Sequence, residues 1–214
     1  VSSGIWYFRH QFKIMSTAEN TILGLKLPSD PRWVNLAEMS LEDILSDHAY
    51  CEQKAASHAI SLIQKYPEYT KLVDELSPIV TEEWGHFRMV LSEIKKRNLR
   101  LGPQRKDDYV NALNQLETKG GRPENRFLDK LLIFGLIEAR SCERFRLLSL
   151  HISDDSLKSF YHEFMVSEAG HYTLFLDLAK TYMDEEYVKK RWQEFLDQEA
   201  ILIQSFEYRG DRMH

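Results

Sequence analysis

The chain has 214 residues, 43% of them hydrophobic, with a formal net charge of −5 at pH 7 and a pI near 5.9. That length sustains one well-packed domain, and the acidic balance excludes a globally basic nucleic-acid or membrane binder, so any basic surface must be local. Two cysteines do not make a disulfide framework and fit a reducing cytoplasm, and no apolar run approaches the roughly 18 to 20 residues that cross a bilayer.

Glycine and proline cluster at breaks, and the stretches between them place apolar residues at helical spacing, so the expected fold is all-α. Residues 1–24 read as an N-terminal extension, too aromatic for a secretory signal, with Met15 as a candidate start. After an irregular lead through Pro28 and Pro31, Ser40 is expected to cap a helix running to about Tyr66, where Pro67 stops it. The next runs from Glu68 to about Asn98, with Ser77-Pro78 predicting a kink or a restart. A loop at Gly102-Pro103 leads to a shorter helix from about Lys106 to Thr118, ended by Gly120-Gly121. A long helix follows from Pro123 to His151. Ser153-Asp154-Asp155 caps another to about Met183, and Asp184 caps the last, to about Phe206. Four of these are long enough to form a bundle, giving a domain over 25–206 and a C-terminal tail at 207–214.

Within those helices one pattern occurs twice: a single glutamate, then about thirty residues later a Glu-x-x-His pair. Glu52 precedes Glu83 by 31 residues, with His86 three further on, and Glu138 precedes Glu168 by 30, with His171 three further on. In a chain of this composition roughly one Glu-x-x-His pair is expected by chance, so the pairs alone decide little. Placement decides more. Glu138 shares its stripe with Leu131, Phe134, Cys142 and Phe145; Glu168 lies among Tyr161, Phe164, Tyr172 and Phe175; Glu83 lies among Leu76, Ile79, Val80, Phe87 and Val90. Around Glu52 the small Ala49, Ala55, Ala56 and Ala59 permit close packing or leave room for a ligand. Four carboxylates and two imidazoles facing one core need positive charge among them, and a pair of iron ions is the expected source. An i, i+3 Glu/His pair chelates from one helix, and a carboxylate has a second oxygen with which to bridge. Glu83 and Glu168 are therefore the expected bridges, Glu52 and Glu138 the terminal ligands, and His86 and His171 one nitrogen for each metal. The bland alternative is six helix residues in surface ion pairs or core hydrogen bonds.

The segments Asp47-His48-Ala49-Tyr50-Cys51-Glu52-Gln53-Lys54-Ala55-Ala56-Ser57, Glu83-Trp84-Gly85-His86-Phe87, Leu136-Ile137-Glu138-Ala139-Arg140-Ser141-Cys142-Glu143-Arg144-Phe145 and Ser167-Glu168-Ala169-Gly170-His171 resemble the signatures of the MiaE family of tRNA 2-methylthio-N6-isopentenyladenosine hydroxylases. The resemblance covers roughly Leu25 to Phe206. It implies a ferritin-like four-helix bundle with flanking helices. It also implies a cytoplasmic di-iron monooxygenase that uses O2 and an external electron donor, a reductase or ferredoxin-like protein, to hydroxylate the isopentenyl group at position 37 of tRNA. The six ligands carry over onto the six residues already found. Attack on an unactivated C–H bond is beyond any side chain, so iron must carry it. Phe87, Phe134, Phe164 and Phe175 are candidates for the wall that keeps the site dry, or plain core.

Residues preceding ligating glutamates often support the opposite histidine, which nominates Glu82 and Ser167 as supporting groups. His48, one turn before Glu52, reads as a hydrogen-bonded core histidine or a further ligand. Arg140 and Arg144 are expected off the face of Glu138, pairing with Glu143. An anticodon stem-loop needs phosphate contacts, and two basic clusters offer them: Lys95, Lys96, Arg97, Arg100, Arg105 and Lys106 around Gly102-Pro103, and Lys119, Arg122 and Arg126 around Gly120-Gly121. If both loops lie at the end of the bundle nearest the iron site, they form one collar; solvated, salt-bridged helix ends are the alternative. Two other classes stay open: an iron-handling ferritin or rubrerythrin relative, for which no Cys-x-x-Cys electron-transfer pair is present, and a metal-free helical interaction protein.

Overall fold

A computed structural model describes residues 22–207 and 209–214, and the expectation for 1–24 falls almost wholly outside them. Among the described residues there are helices and no strands: α1 (Trp33–Met39), α2 (Leu41–Lys65), α3 (Thr70–Lys96), α4 (Asp108–Asn114), α5 (Pro123–His151), α6 (Asp155–Tyr182) and α7 (Glu185–Ser205). The all-α expectation holds.

Local chemistry explains most boundaries. Asp154 accepts from the backbone amides of Ser156 and Leu157 to open α6, Asp184 accepts from that of Tyr187 to open α7, and Pro123 occupies the first turn of α5. Three boundaries differ from expectation. Ser40 makes no side-chain cap, and α2 begins beside it with Glu42 and Asp43 in the first turn instead. Ser77 starts no new helix, because α3 runs unbroken through Pro78; both residues are exposed there, so water can satisfy the carbonyl that Pro78 leaves without a donor. The helix α4 is shorter than its pattern, capped by Asp107 and ended by tight turns at Gln115 and Leu116. Gly120 and Gly121, at φ of 81° and 69°, then turn the chain into α5, a conformation that any side chain would strain.

The irregular lead contains a helix the sequence pattern hid. In α1, Trp33, Val34 and Ala37 are buried, the Trp33 indole N–H donates to the Arg209 carbonyl at 2.8 Å, and the Arg144 guanidinium covers its ring at 4.3 Å. One turn of burial is too short for periodicity to register. The tail is also built in: Met213 is buried with its amide donating to Asp47, and Gly210 crosses so close to the Leu36 backbone that a β-carbon would collide.

The pairs α2/α3 and α5/α6 are antiparallel hairpins, joined by a crossover, 97–122, that travels the length of the bundle. At one end it is tied to the start of α2, with the Gly102 amide donating to Ser46 and Tyr50 donating to the Gly102 carbonyl. At the other, the Thr118 amide donates to Asp129 near the start of α5, where Phe127 stacks on Tyr66 and Tyr69 of the α2/α3 turn. The two basic loops therefore lie at opposite ends and form no single collar. The helix α7 packs on α5 and α6. The apolar core is two clusters, one around Ile44, Phe145 and Tyr161, the other around Leu76, Leu131 and Phe195. Each fully buried Leu or Phe contributes about 1.5 to 3 kcal/mol. What divides them is a polar layer at mid-bundle.

Candidate metal centre

That layer contains all six residues of the repeated pattern, one or two from each bundle helix: Glu52 on α2, Glu83 and His86 on α3, Glu138 on α5, Glu168 and His171 on α6. None is more than 9% exposed. Their ligand atoms form two overlapping groups, Glu52, Glu83, His86 and Glu168, and Glu83, Glu138, Glu168 and His171, each with its members within 4.8 Å of one another. Glu83 and Glu168 are common to both.

The heptad-like placement seen in the sequence produces this: each side chain stands on the stripe its helix turns inward, and the i, i+3 spacing sets each imidazole one turn beyond its carboxylate. His171 Nδ1 lies 2.8 Å from Glu83 Oε1 and 3.3 Å from Glu168 Oε2, while His86 Nδ1 lies 3.3 Å from Glu52 Oε2 and 3.4 Å from Glu83 Oε2. Yet both Glu83 oxygens, His86 Nδ1 and His171 Nε2 lack an aligned hydrogen-bond partner. Donor and acceptor atoms crowd together without the geometry of hydrogen bonds, which is costly for buried groups unless a cation collects their lone pairs. Mixed carboxylate oxygen and imidazole nitrogen is a donor set suited to iron and its first-row neighbours. The residues present fit a pair of metal ions.

Electrostatics describe the same frustration. Burial, reinforced by neighbouring carboxylates, pushes Glu52 and Glu138 well above the ordinary carboxylate range. Burial also opposes charge on the imidazoles, but their carboxylate partners prevail, holding His86 up at about 10 and raising His171. Glu83 is lowered despite its burial, because it faces both rings.

Around this layer the other candidates sort themselves. Glu82 lies on the partly open α3–α6 side, with Oε2 3.5 Å from His171 Nε2 and Oε1 4.0 Å from His86 Nε2; the Ser167 hydroxyl donates to Glu82 at 2.7 Å. Ser167 thus reaches the imidazoles through Glu82 and not directly. His48 is fully buried among Phe145, Tyr161 and Phe164, its pKa well below normal chiefly through burial. Its Nε2 comes within 2.8 Å of Glu52 Oε1, but it belongs to neither ligand group and makes no aligned hydrogen bond. Of the four aromatics, Phe134 and Phe175 line a cavity next to Glu83 and Glu138, whereas Phe87 and Phe164 belong to the core cluster on the other side of the layer.

Arg97 and Arg105 are committed internally, Arg97 to Glu93, Asp154 and Ser156, and Arg105 to Asp43 and Asp211. Lys96 pairs loosely with Glu93, Lys106 with Asp108, and Arg126 reaches the Gly120 carbonyl; Lys95, Arg100, Lys119 and Arg122 are exposed. Sequence reasoning missed the depth of the Arg140 network. Arg140 is completely buried, joining Glu143 at 2.9 Å and Glu199 of α7 at 2.7 Å while donating to the Leu27 carbonyl, and Tyr109 also donates to Glu199. Glu143 alone was visible as its partner, because Glu199 lies 59 residues away on another helix.

Comparison with known proteins gives concordant results. Residues 16–214 match the family described as tRNA-(ms2io6A)-hydroxylase, MiaE. The tRNA 2-(methylsulfanyl)-N(6)-isopentenyladenosine(37) hydroxylase of Pseudomonas putida is 38% identical, the match covering 85% of this chain and 87% of that protein. The Salmonella typhimurium hydroxylase of the same name is 28% identical, over 85% and 84% respectively. Among solved structures, a Synechococcus protein described as having aldehyde deformylating oxygenase activity superposes with a TM-score of 0.84 at 35% identity, covering 90% of this chain and 96% of that one. The bundle is ferritin-like, and the chain belongs to the MiaE family of tRNA hydroxylases.

Proposed function

We propose that this protein hydroxylates the isopentenyl group of 2-methylthio-N6-isopentenyladenosine at position 37 of tRNA. The observation that carries the reading is the doubled ligand group sharing Glu83 and Glu168, inside a chain that matches the hydroxylase family over nearly its whole length. The balanced reaction is R–H + O2 + 2e⁻ + 2H⁺ → R–OH + H2O, so it needs an external two-electron donor, of reductase or ferredoxin-like class. Two iron ions, when bound, supply the activation of O2 that no side chain can provide.

The chain's own residues do the rest. Glu52 and His86 would hold one ion and Glu138 and His171 the other, with Glu83 and Glu168 common to both ligand groups. Glu82 Oε2, 3.5 Å from the outer nitrogen of His171, is placed to orient that imidazole once its inner nitrogen holds a metal. Phe134, Phe175 and Ile137 exclude water beside the reacting carbon. Because the crossover 97–122 passes the cavity, its two basic loops bracket that side of the bundle. Lys95, Lys96, Arg100 and Lys106 at one end, with Lys119, Arg122 and Arg126 at the other, supply phosphate contacts to an anticodon arm lying along it. Arg105, held by Asp43 and Asp211, supports this surface from within, whereas Arg97 ties the end of α3 to the start of α6. A tRNA substrate supports a cytoplasmic location; separately, none of the described helices is long and apolar enough to cross a membrane.

The test is mass spectrometry of nucleosides from isopentenylated tRNA incubated with iron-loaded protein, a reductant and isotopically labelled O2. One labelled oxygen in the modified nucleoside is expected. Absence of that product from protein with full iron content overturns the reading.

A further inference from the structure

The two hairpins do not meet evenly. Cα atoms of α3 and α6 approach within 8 Å, but no Cα of α2 comes that close to α5. The gap holds a cavity of about 40 Å³, measured at the centres of water-sized atoms. One such atom needs about 10–15 Å³, so the space takes three or four of them, or a chain of about five bonded, overlapping carbons.

Its walls follow from the same periodicity that builds the metal layer. Ile79 lies four residues before Glu83, Phe134 four before Glu138, and Phe175 four after His171, while Ala55 and Ala59 follow Glu52 on α2. Each is displaced from a ligand toward the same end of the bundle. The small alanines make the space that larger residues would fill. Glu83 and Glu138 bring the metal layer to this cavity, and the rest of its polar lining is Cys51, Lys54, His58, Asp107 and His214. There Lys54 pairs with Asp107 at 2.9 Å, and the His58 ring leans on Phe134 at 5.3 Å.

We propose that this cavity receives the branched aliphatic substituent of an N6-alkylated adenine, with Lys54 and Asp107 at its rim holding the base. The inference rests on the hydroxylase reading and adds which face of the bundle the base approaches and which residues select it. An apolar wall suits a five-carbon chain and offers nothing to a hydrophilic one. An ammonium donor beside a carboxylate acceptor complements the adenine edge, where a ring-nitrogen acceptor adjoins the N6–H donor. The substituent then points at Glu83 and Glu138 with the base outside the bundle, so its far carbons are the ones brought to the metals. His58, through its stack on Phe134, supplies a flat face at the junction.

The test compares binding of two nucleosides, N6-isopentenyladenosine and adenosine, to iron-loaded protein held without O2. Wild type is expected to prefer the isopentenyl nucleoside at least tenfold. Ala59→Leu fills the cavity and should reduce that preference to within twofold while keeping two iron ions and the unfolding temperature. Lys54→Met should weaken both nucleosides alike, leaving the preference intact, and on tRNA should raise KM with kcat nearly unchanged. If Ala59→Leu loses iron, Ala55→Leu, nearer the surface, carries the same expectation. A filled, iron-replete variant that keeps the tenfold preference overturns the assignment. A wild type that keeps the preference but yields no hydroxylated tRNA overturns the function and leaves the cavity's ligand standing.

Discussion

Loading metal-free protein with Fe(II) should release protons, and their number follows from the geometry. Without cations, burial and mutual repulsion keep Glu52 and Glu138 protonated, while His86 and His171 are held in their charged form by the carboxylates they face. That is four protons, matching the four positive charges that two divalent ions bring, so the layer exchanges one neutralising set for another. Ligands bind metal only when deprotonated, and the imidazoles alone contribute two. The sign follows from the raised values: below them the protons are present and must leave, so apparent affinity rises with pH. Each released proton adds about 1.4 kcal/mol per pH unit, so the two imidazole protons alone give a roughly 10²-fold gain in the product of the two binding constants between pH 6 and pH 7, to which Glu52 and Glu138 add. Anaerobic titration calorimetry in buffers of different ionisation enthalpy measures the number directly. A release below two protons per chain would refute the account, since it would mean the imidazoles are not charged by the carboxylates around them.

Other predictions probe the scaffold and its surface. Arg140→Met leaves the buried Glu143 and Glu199 without their shared cation and should cost about 3 to 5 kcal/mol in urea unfolding, and a loss under 1 kcal/mol would show the network to be dispensable. Asp154→Ala removes the α6 cap and the Arg97 partner and should cost about 1 to 2 kcal/mol by the same measurement. Arg97 holds the Asp154 carboxyl below its ordinary value, so its contribution is present above about pH 4 and lost as pH falls below that; a wild-type-minus-variant difference that grows with acid would contradict it. Glu82→Gln should weaken metal affinity about 10- to 100-fold, and unchanged iron occupancy with unchanged turnover would remove Glu82 from the centre. Replacing Lys95 and Lys96 by Gln should lower the salt-dependence slope of tRNA binding by roughly 1.5 to 2, whereas Arg97→Ala should act mainly on stability; equal slopes for wild type and the double variant would exclude the patch.

The long helices and all six cage residues were legible because both depend on one helical period. Glu138 among Leu131, Phe134, Cys142 and Phe145 can face only the core, and that requires no knowledge of the partner helix. What escaped was decided between segments. The helix α1 is only seven residues long and is stabilised by the Arg209 carbonyl and the Arg144 guanidinium, both distant in sequence. Arg140 could be read only as a neighbour of Glu143 off the face of Glu138, because Glu199 comes from α7, 59 residues on. The basic clusters at Gly102-Pro103 and Gly120-Gly121 were correctly seen as basic, but sequence spacing does not say that the chain between them runs the full length of the bundle. Of the two outcomes Ser77-Pro78 allowed, a kink or a restart, the restart does not occur: α3 runs on through Pro78, in an exposed stretch where the freed carbonyl can reach water.

The asymmetry of the bundle assigns different work to its two open sides. The substrate cavity meets the metal layer at Glu83 and Glu138 from between α2 and α5, whereas Glu82 and Ser167 meet the outer nitrogens of the imidazoles from between α3 and α6. In the hydroxylation proposed, every turnover consumes two protons and two electrons that the substrate does not carry. Were they to enter through the cavity, they would have to pass a bound aliphatic chain in a space about 40 Å³ in size. The α3–α6 side has a carboxylate, Glu82, in contact with solvent and within 3.5 to 4.0 Å of both imidazoles, so this polar approach to the layer stays clear of the substrate. The same separation explains why the tighter seam of the bundle carries the polar bridge and the wider seam carries the alanines. A wet, charged contact tolerates close helices, whereas an alkyl chain needs the room that small side chains leave.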